Sequence, residues 1–247
     1  MSRSARWRPF AAPTLALGLY LAAVTRPDLW AAALGALFPG ERRLLFQTSM
    51  LTLVGEHVAM VGLSSLLAVG IGLGLGVFVT RPAGAAFLDV VTDLVNLGQT
   101  FPPVAVFTLA VPLLGYGFEP TVLALTLYGV LPVLQNTVAG LRGLPESVLD
   151  SARGMGLHPR QVLRRVELPL ALPVIVAGVR VAVVINVATA TVGAIAGAGG
   201  LGAPIISGLT NQDPAVTLQG ALLTTGLALI ADAYLGAAER ALARRGA

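Results

Sequence analysis

The chain has 247 residues, of which 55% are hydrophobic and 11% charged, with a formal net charge of +4 and a mean hydropathy of +0.82. A soluble domain carries about 25% charged residues, so too little polar surface is available here to cover a water-soluble globule. There is no Cys, and the two His residues, His57 and His158, lie far apart in the chain. That pattern offers no disulfide framework, thiolate metal site, cysteine nucleophile or clustered His/carboxylate ligand set, so no cofactor is expected.

A crossing helix needs about 20 mostly apolar residues, and several runs of the chain approach or meet that length. Residues 9–25 follow Arg3, Arg6 and Arg8 and form a short first candidate. A basic start and apolar core resemble a signal peptide, but no small-x-small cleavage site precedes Arg26, so the run reads as a retained anchor. Residues 26–57 carry Arg26, Asp28, Glu41, Arg42, Arg43 and Glu56 and read as extramembrane, with an amphipathic piece around 29–38. Residues 58–80 are uncharged and form the clearest span. The run 86–115 is apolar but interrupted by Pro102 and Pro103, which must break or kink it. Asp89 and Asp93 fall at its start, near the water interface. The next span is 120–141, with Pro132 inside it. After a polar segment at 142–167, hydrophobicity returns at 168–196, passes a Gly-rich patch at 197–202 and meets a polar turn at 211–214. A last span covers about 215–236.

The expected fold class is therefore all-α, a polytopic transmembrane bundle of about six spans. All sixteen basic residues are Arg, and they sit between apolar runs rather than along one face. Membrane orientation explains them better than nucleic-acid binding, despite a pI near 10.3. Placing both termini, the Arg81 turn and the 142–167 segment in the cytoplasm puts twelve Arg inside and leaves Arg26, Arg42 and Arg43 outside.

The 144–169 segment is the most informative. Pro145 suits a first helical position and Glu146 the positive helix N-terminus. Val148, Ala152 and Met155 recur as one apolar stripe. Gly154 and Gly156 stop that helix, and Pro159 begins a second short one whose Arg160, Arg164 and Arg165 make a basic face. A helix-turn-helix on the membrane surface follows, and such helices often do no more than bind lipid headgroups.

Asp150, Ser151 and Ala152, then Gly156, then Val166, Leu168 and Pro169 resemble the EAA loop of ABC-importer permeases, with three, nine and one residues between the groups. Asp stands for Glu, Ser for Ala and Val for Ile. The runs 96–103, 127–137, 177–180 and 188–202 are similar, in order, to segments of glycine betaine, carnitine and choline permeases, the osmoprotectant importers. The likeness covers residues 50–235. The resemblance implies a type I ABC-importer permease fold with an N-terminal anchor and external segment at 1–45 and a permease domain at 46–247. Residues 144–169 would couple it to a separate ATPase subunit. It further implies an extracytoplasmic substrate-binding protein, a second permease copy or paralogue, and a multi-pass inner-membrane location. No enzymatic activity of its own is expected, since the chain holds no P-loop. A permease for another small solute, such as an amino acid, is the nearest alternative. A secondary transporter or channel would need repeats or mid-membrane coupling carboxylates, and neither is evident.

Other motifs have plainer readings. Gly197, Gly199 and Gly202 satisfy G-x-G-x-x-G, but they close an apolar run rather than follow a strand, so a tight turn is expected. Gly70, Gly72, Gly74 and Gly76 allow close helix packing, inside the subunit or between subunits. Arg180, deep in a span, should meet backbone carbonyls of a broken helix, the solute path or a subunit interface. Asn96, Gln99, Asn136, Asn186 and Thr189 either join helices or line a path. No aromatic cage for a quaternary ammonium group is evident, so recognition is expected mainly on a separate binding protein.

Overall fold

A computed structural model of the chain describes residues 3–39 and 48–246, and among them every regular element is helical. Arg42 and Arg43, expected outside the membrane, and Glu41 lie outside the described residues. The N-terminal helices are α1 (Arg3–Thr25) and α2 (Pro27–Leu37). The bundle is built from α3 (Met50–Val79), α4 (Leu88–Thr100), α5 (Pro103–Leu114), α6 (Phe118–Arg142), α7 (Glu146–Gly154), α8 (Pro159–Val162), α9 (Leu168–Ala190), α10 (Gly202–Thr210) and α11 (Pro214–Gly246).

Four helices are long and apolar enough to cross a membrane: Met50–Val79, Phe118–Arg142, Pro159–Ala190 and Pro214–Arg244. The pair Ala85–Thr100 and Pro103–Leu114 is bent by 92° where Pro102 and Pro103 deny the helix its hydrogen bonds, and it brings the number of candidate crossings to at most five. Pro9–Thr25 adds a shorter apolar helix. About six crossings are expected from the sequence; four helices, or five with the bent pair, have the length and composition of a span, and Pro9–Thr25, the first expected one, is shorter.

The bundle is organised around α6, 61% of whose membrane-length window is buried against 33% for α3. Lipid tails give helices no hydrophobic reason to associate, so close packing of small residues has to supply the attraction. The sequence provides it on both flanks of α6. A Cβ on Gly129 would stand 2.8 Å from the Ala68 Cβ of α3, and one on Gly140 would stand 3.2 Å from the Ala171 Cβ of α9. Gly72 and Gly76 lie against Val133 and Thr137, while Gly70 and Gly74 have nothing within 4 Å. Of the two glycine pairs in this span, one thus packs inside the subunit and the other faces away from it.

Three expectations need correction. The span expected at 58–80 begins at Met50, because Glu56 and His57, which seemed to end it, find partners across the bundle. The second short surface helix does not stand alone: α8 runs through a π-helical turn at Leu163–Glu167 into α9, making one helix Pro159–Ala190. Finally α10, a helix of 9 residues, occupies what read as the stretch between a glycine patch and a polar turn. The N-terminal helix α1 shares the bundle's core. Its Tyr20 and Val24 are buried with Leu53, Val54, Leu201, Leu223 and Ile230, and the Tyr234 hydroxyl donates to Thr14 Oγ1 at 3.1 Å.

Cross-helix contacts identify the two ends. Arg81, just past α3, forms an ion pair with Glu167 at 2.6 Å, gathering the Arg81 turn and the 142–167 segment at one end. At the other, the Gly117 N–H donates to the Ala196 carbonyl at 2.8 Å, and Glu56 accepts from Gly200 at 2.8 Å. The Arg81 turn and residues 142–167 thus share one end, and residues 117 and 196–200 the other.

Candidate functional site

Two turns stand at opposite ends of the Pro159–Ala190 helix, with a row of polar side chains between them. At the Arg-rich end, Pro145 sits just before α7 rather than inside it, with an extended backbone. Glu146 lies in the first turn of α7 and Arg153 in its last, both favourable to the helix dipole. Arg153 donates to Glu146 at 2.8 Å and to Asp150 at 3.0 Å. The Glu146 bond, seconded by Asp150, raises the guanidinium pKa above the ordinary arginine value. Of the apolar stripe, only Ala152 is covered, at 2% exposure, whereas Val148 is 36% and Met155 74% exposed. Asp150 and Ser151 are exposed as well, and the Ser151 hydroxyl donates back to the Ser147 carbonyl.

Gly156 turns the chain at φ +79, and a Cβ there would meet nothing within 4 Å. Backbone conformation, not space, is what calls for glycine at this position. His158 then caps α8: its ring accepts the Arg160 N–H, and the Gln161 side chain accepts the His158 N–H at 2.8 Å. Arg160, Arg164 and Arg165 are exposed, Val166 and Leu168 half-buried and Pro169 exposed. Leu168 packs on the cluster of Leu141, Ala171 and Ile175. Asp150, Ser151, Ala152 and Gly156 therefore form one arm, and Val166, Leu168 and Pro169 lie on the helix that enters the bundle.

At the other end, a 3₁₀ segment Val192–Ala196 leads into Gly197, Gly199 and Gly200, whose φ values are +78, +72 and +65. The G-x-G-x-x-G pattern is thus a turn between two helices. His57, fully buried, holds it from α3: Nε2 donates to the Val187 carbonyl at 3.0 Å and Nδ1 accepts the Leu201 N–H at 3.3 Å. The Leu201 N–H can only donate, which places the ring proton on Nε2. Neither Glu56 nor His57 was singled out from the sequence. Their one local signal is two adjacent polar residues within an otherwise apolar run.

The polar residues singled out in the spans do not converge on one point. Asn186 is fully buried and donates to Ser64 and Ser65 on α3, at 3.3 and 3.1 Å. Gln99 donates to the Tyr128 carbonyl at 2.8 Å, beside Gly129, which packs on Asn186. The Asn136 amide bonds the Pro132 carbonyl one turn back, and its Cβ packs on Gly178. Asn96 is exposed and Thr189 half-buried. Arg180 meets carboxylates rather than backbone carbonyls: it grips Asp232 through two bonds of 2.6 and 2.8 Å and reaches Glu239 at 3.3 Å. Asp232 and Glu239 stand seven apart on α11, a spacing that puts them on one helix face. Near the glycine turn, a cavity of about 270 Å³ is lined by residues including Phe107, Thr108, Tyr116 and Ile195, with no charged group.

Residues 68–244 match the family model described as the binding-protein-dependent transport system inner membrane component. The chain is 39% identical over 191 residues to the choline transport system permease protein OpuBB of Bacillus subtilis, covering 77% of this chain and 87% of that protein. It is 39% identical over 189 residues to the osmoprotectant import permease protein OsmY of Salmonella typhimurium, covering 76% and 80%. The glycine betaine/carnitine/choline transport system permease protein OpuCB of Bacillus subtilis is 37% identical over 192 residues, covering 78% and 88%. Among solved structures, an inward facing MetNI methionine ABC transporter chain superposes with a TM-score of 0.70 at 26% identity, covering 80% of this chain and 99% of that one.

Proposed function

Since the chain belongs to the family of binding-protein-dependent transport system inner membrane components, and is thus a multi-pass permease of the inner membrane, we propose that it conducts a small osmoprotectant such as choline, glycine betaine or carnitine. Those three solutes share a trimethylammonium head. The transport is driven by ATP hydrolysed on a separate subunit, with solute delivered by an extracytoplasmic binding protein. The pore forms from two copies, or from this chain and a paralogue.

In this reading the Arg-rich end is cytoplasmic, together with both termini. Residues 144–169 are the coupling loop, in which Asp150, Ser151 and Gly156 meet the ATPase, buried Ala152 seats their helix, and Val166, Leu168 and Pro169 join the loop to the bundle. Asn96, Gln99 and Thr189 line the path, whereas Asn136, Asn186 and Arg180 hold helices beside it.

The observation that carries the coupling assignment is the bare stripe on α7. Met155 and Val148 stay open to solvent on a helix that Gly156 joins to a continuous crossing helix. An apolar stripe exposed beside a basic surface suits a partner's groove. The solute assignment is supported by identity to permeases named for these compounds over more than three quarters of their length.

The test is ATP-dependent uptake in liposomes holding this chain, its ATPase and its binding protein, with choline, glycine betaine and carnitine supplied in turn. Uptake that Gly156→Asp abolishes without loss of folded subunits supports both assignments. Uptake driven by an ion gradient without ATP overturns primary transport, and indifference to all three solutes overturns the osmoprotectant reading.

A further inference from the structure

The Pro159–Ala190 helix has 32 residues and is about 48 Å long at 1.5 Å rise per residue. Its two ends are tied to α3 in different ways. At the Arg-rich end the tie is Arg81 to Glu167, an ion pair between two side chains, 31% and 9% exposed. It bonds no backbone, so it constrains the two segments less than bonds to backbone on both sides would. At the glycine-turn end, a rigid imidazole with no exposure is bonded to backbone on both sides, to the Val187 carbonyl and the Leu201 N–H. Glu56, one residue before it, takes the Gly200 N–H. Two turns further along α3, Ser64 and Ser65 receive the Asn186 amide. Sliding α9 along α3 here would strand several buried polar groups at once, and a buried group left without its partner is heavily penalised.

The turn itself leaves little slack. A Cβ on Gly200 would stand 2.8 Å from the Met60 Cε, and Gly199 sits directly against the Glu56 carboxylate. Three consecutive features are therefore fixed to the first turns of α3: the last turns of α9, the glycine turn, and the start of α10.

We propose that Glu56 and His57 are positioning residues for transport. They clamp the outer end of the long helix and the glycine turn to α3, so that α3, the end of α9 and α10 move as one body when residues 144–169 are displaced. This rests on the coupling role given above to those residues. The clamp is the pivot, the loop is the free end, and ATP-driven displacement of the loop reaches the outer mouth as a tilt rather than as slippage between helices.

The chain contains no cysteine, so Leu51→Cys and Leu209→Cys, on α3 and α10 and 52% and 62% exposed, can carry spin labels selectively. In the complex with the ATPase subunits, the interlabel distance is expected to be the same without nucleotide and after vanadate trapping. With Glu56→Ala or His57→Leu added, that distance should change on trapping. In the same liposomes these variants should lose uptake by about tenfold, the scale of one lost hydrogen bond to a charged group, while ATP hydrolysis continues. Glu56→Gln and His57→Gln, which keep an acceptor and one backbone bond respectively, should recover most of the uptake.

A nucleotide-dependent distance in the unaltered chain overturns the proposal. So does full uptake by Glu56→Ala, or a parallel fall of uptake and hydrolysis. Glu56 is exposed, so its truncation leaves a folded protein even where His57→Leu does not. If the intact chain moves none of the three solutes, the osmoprotectant reading fails, and the label distances still decide the clamp.

Discussion

At one end of the Pro159–Ala190 helix, Gly156 takes φ +79 in open surroundings; at the other, Gly199, Gly200 and Gly202 are hemmed in by Glu56, His57, Met60 and the Thr191 carbonyl. Beyond Gly156, Met155 is 74% exposed, whereas Leu201 within the glycine turn is fully buried. Both turns need the left-handed backbone that glycine allows, but they differ in what surrounds it. The first leaves its surface bare for something outside the chain. The second needs the absence of a side chain as well, and completes its own hydrogen bonds. A helix closed at one end and open at the other suits an element that is moved from the open end.

The sharpest way to break that comparison is Gly202→Ala. An added Cβ would overlap the Thr191 carbonyl and its Cα, both backbone, so nothing flexible can yield. Overpacking of this kind costs about 3 kcal/mol at the upper end of the usual range. A large loss of monodisperse protein in detergent and a clearly lower melting temperature are expected. Parent-like stability would show that the turn is not closed.

The middle of the long helix comes next. Arg180 ties it to α11 through Asp232 and Glu239, with each side chain about a third exposed in the single chain. Arg180→Gln should destabilise by about 2 kcal/mol, the range for hydrogen bonds to charged groups, because it strands two carboxylates among apolar helices. Adding Asp232→Asn should recover part of the loss. A double-mutant cycle in thermal denaturation reads the coupling, and additive effects would mean that the pair holds nothing.

A smaller effect on stability and a larger one on transport are expected at the open turn. Left-handed backbone costs a side-chain-bearing residue about 1–2 kcal/mol, and Asn tolerates it better than Val. Gly156→Val should therefore stay folded yet lose uptake, while Gly156→Asn keeps a measurable fraction of it. If both variants transport normally, the left-handed turn is not what presents α7.

How much of this was legible in the sequence follows from the range of each interaction. The apolar middles of the spans, the break at Pro102 and Pro103 and the turn at Gly156 are local properties of a few residues, and all are readable. The start of α3 was misplaced because Glu56 finds its partner 144 residues away. Three readings of Arg180 fit the sequence alone, because Asp232 and Glu239 lie 52 and 59 residues on. Spacing alone could not separate Gly72 and Gly76, which pack on α6, from Gly70 and Gly74, which do not. The second arm of the surface helix pair was read as separate because its three Arg seemed too polar for a crossing helix. They are the exposed first turns of one.

The smallest effect on stability belongs to the ion pairs of α7, and it sharpens the contrast furthest. Arg153 bonds Glu146 and Asp150, yet its side chain is 54% exposed and theirs are 70% and 66% exposed. Water screens such pairs, and holding long side chains in one geometry offsets much of the attraction. Arg153→Gln should leave the melting temperature of the isolated permease unchanged, as should added salt. The same groups lie beside the bare stripe of α7, where an ATPase surface would exclude water and strengthen every charge contact. A defect in binding the ATPase, with none in the free subunit, is therefore expected for Arg153→Gln. A fall of several degrees in the isolated permease would mean instead that α7 is held by its own charges, and the open end would then be less open than its exposure suggests.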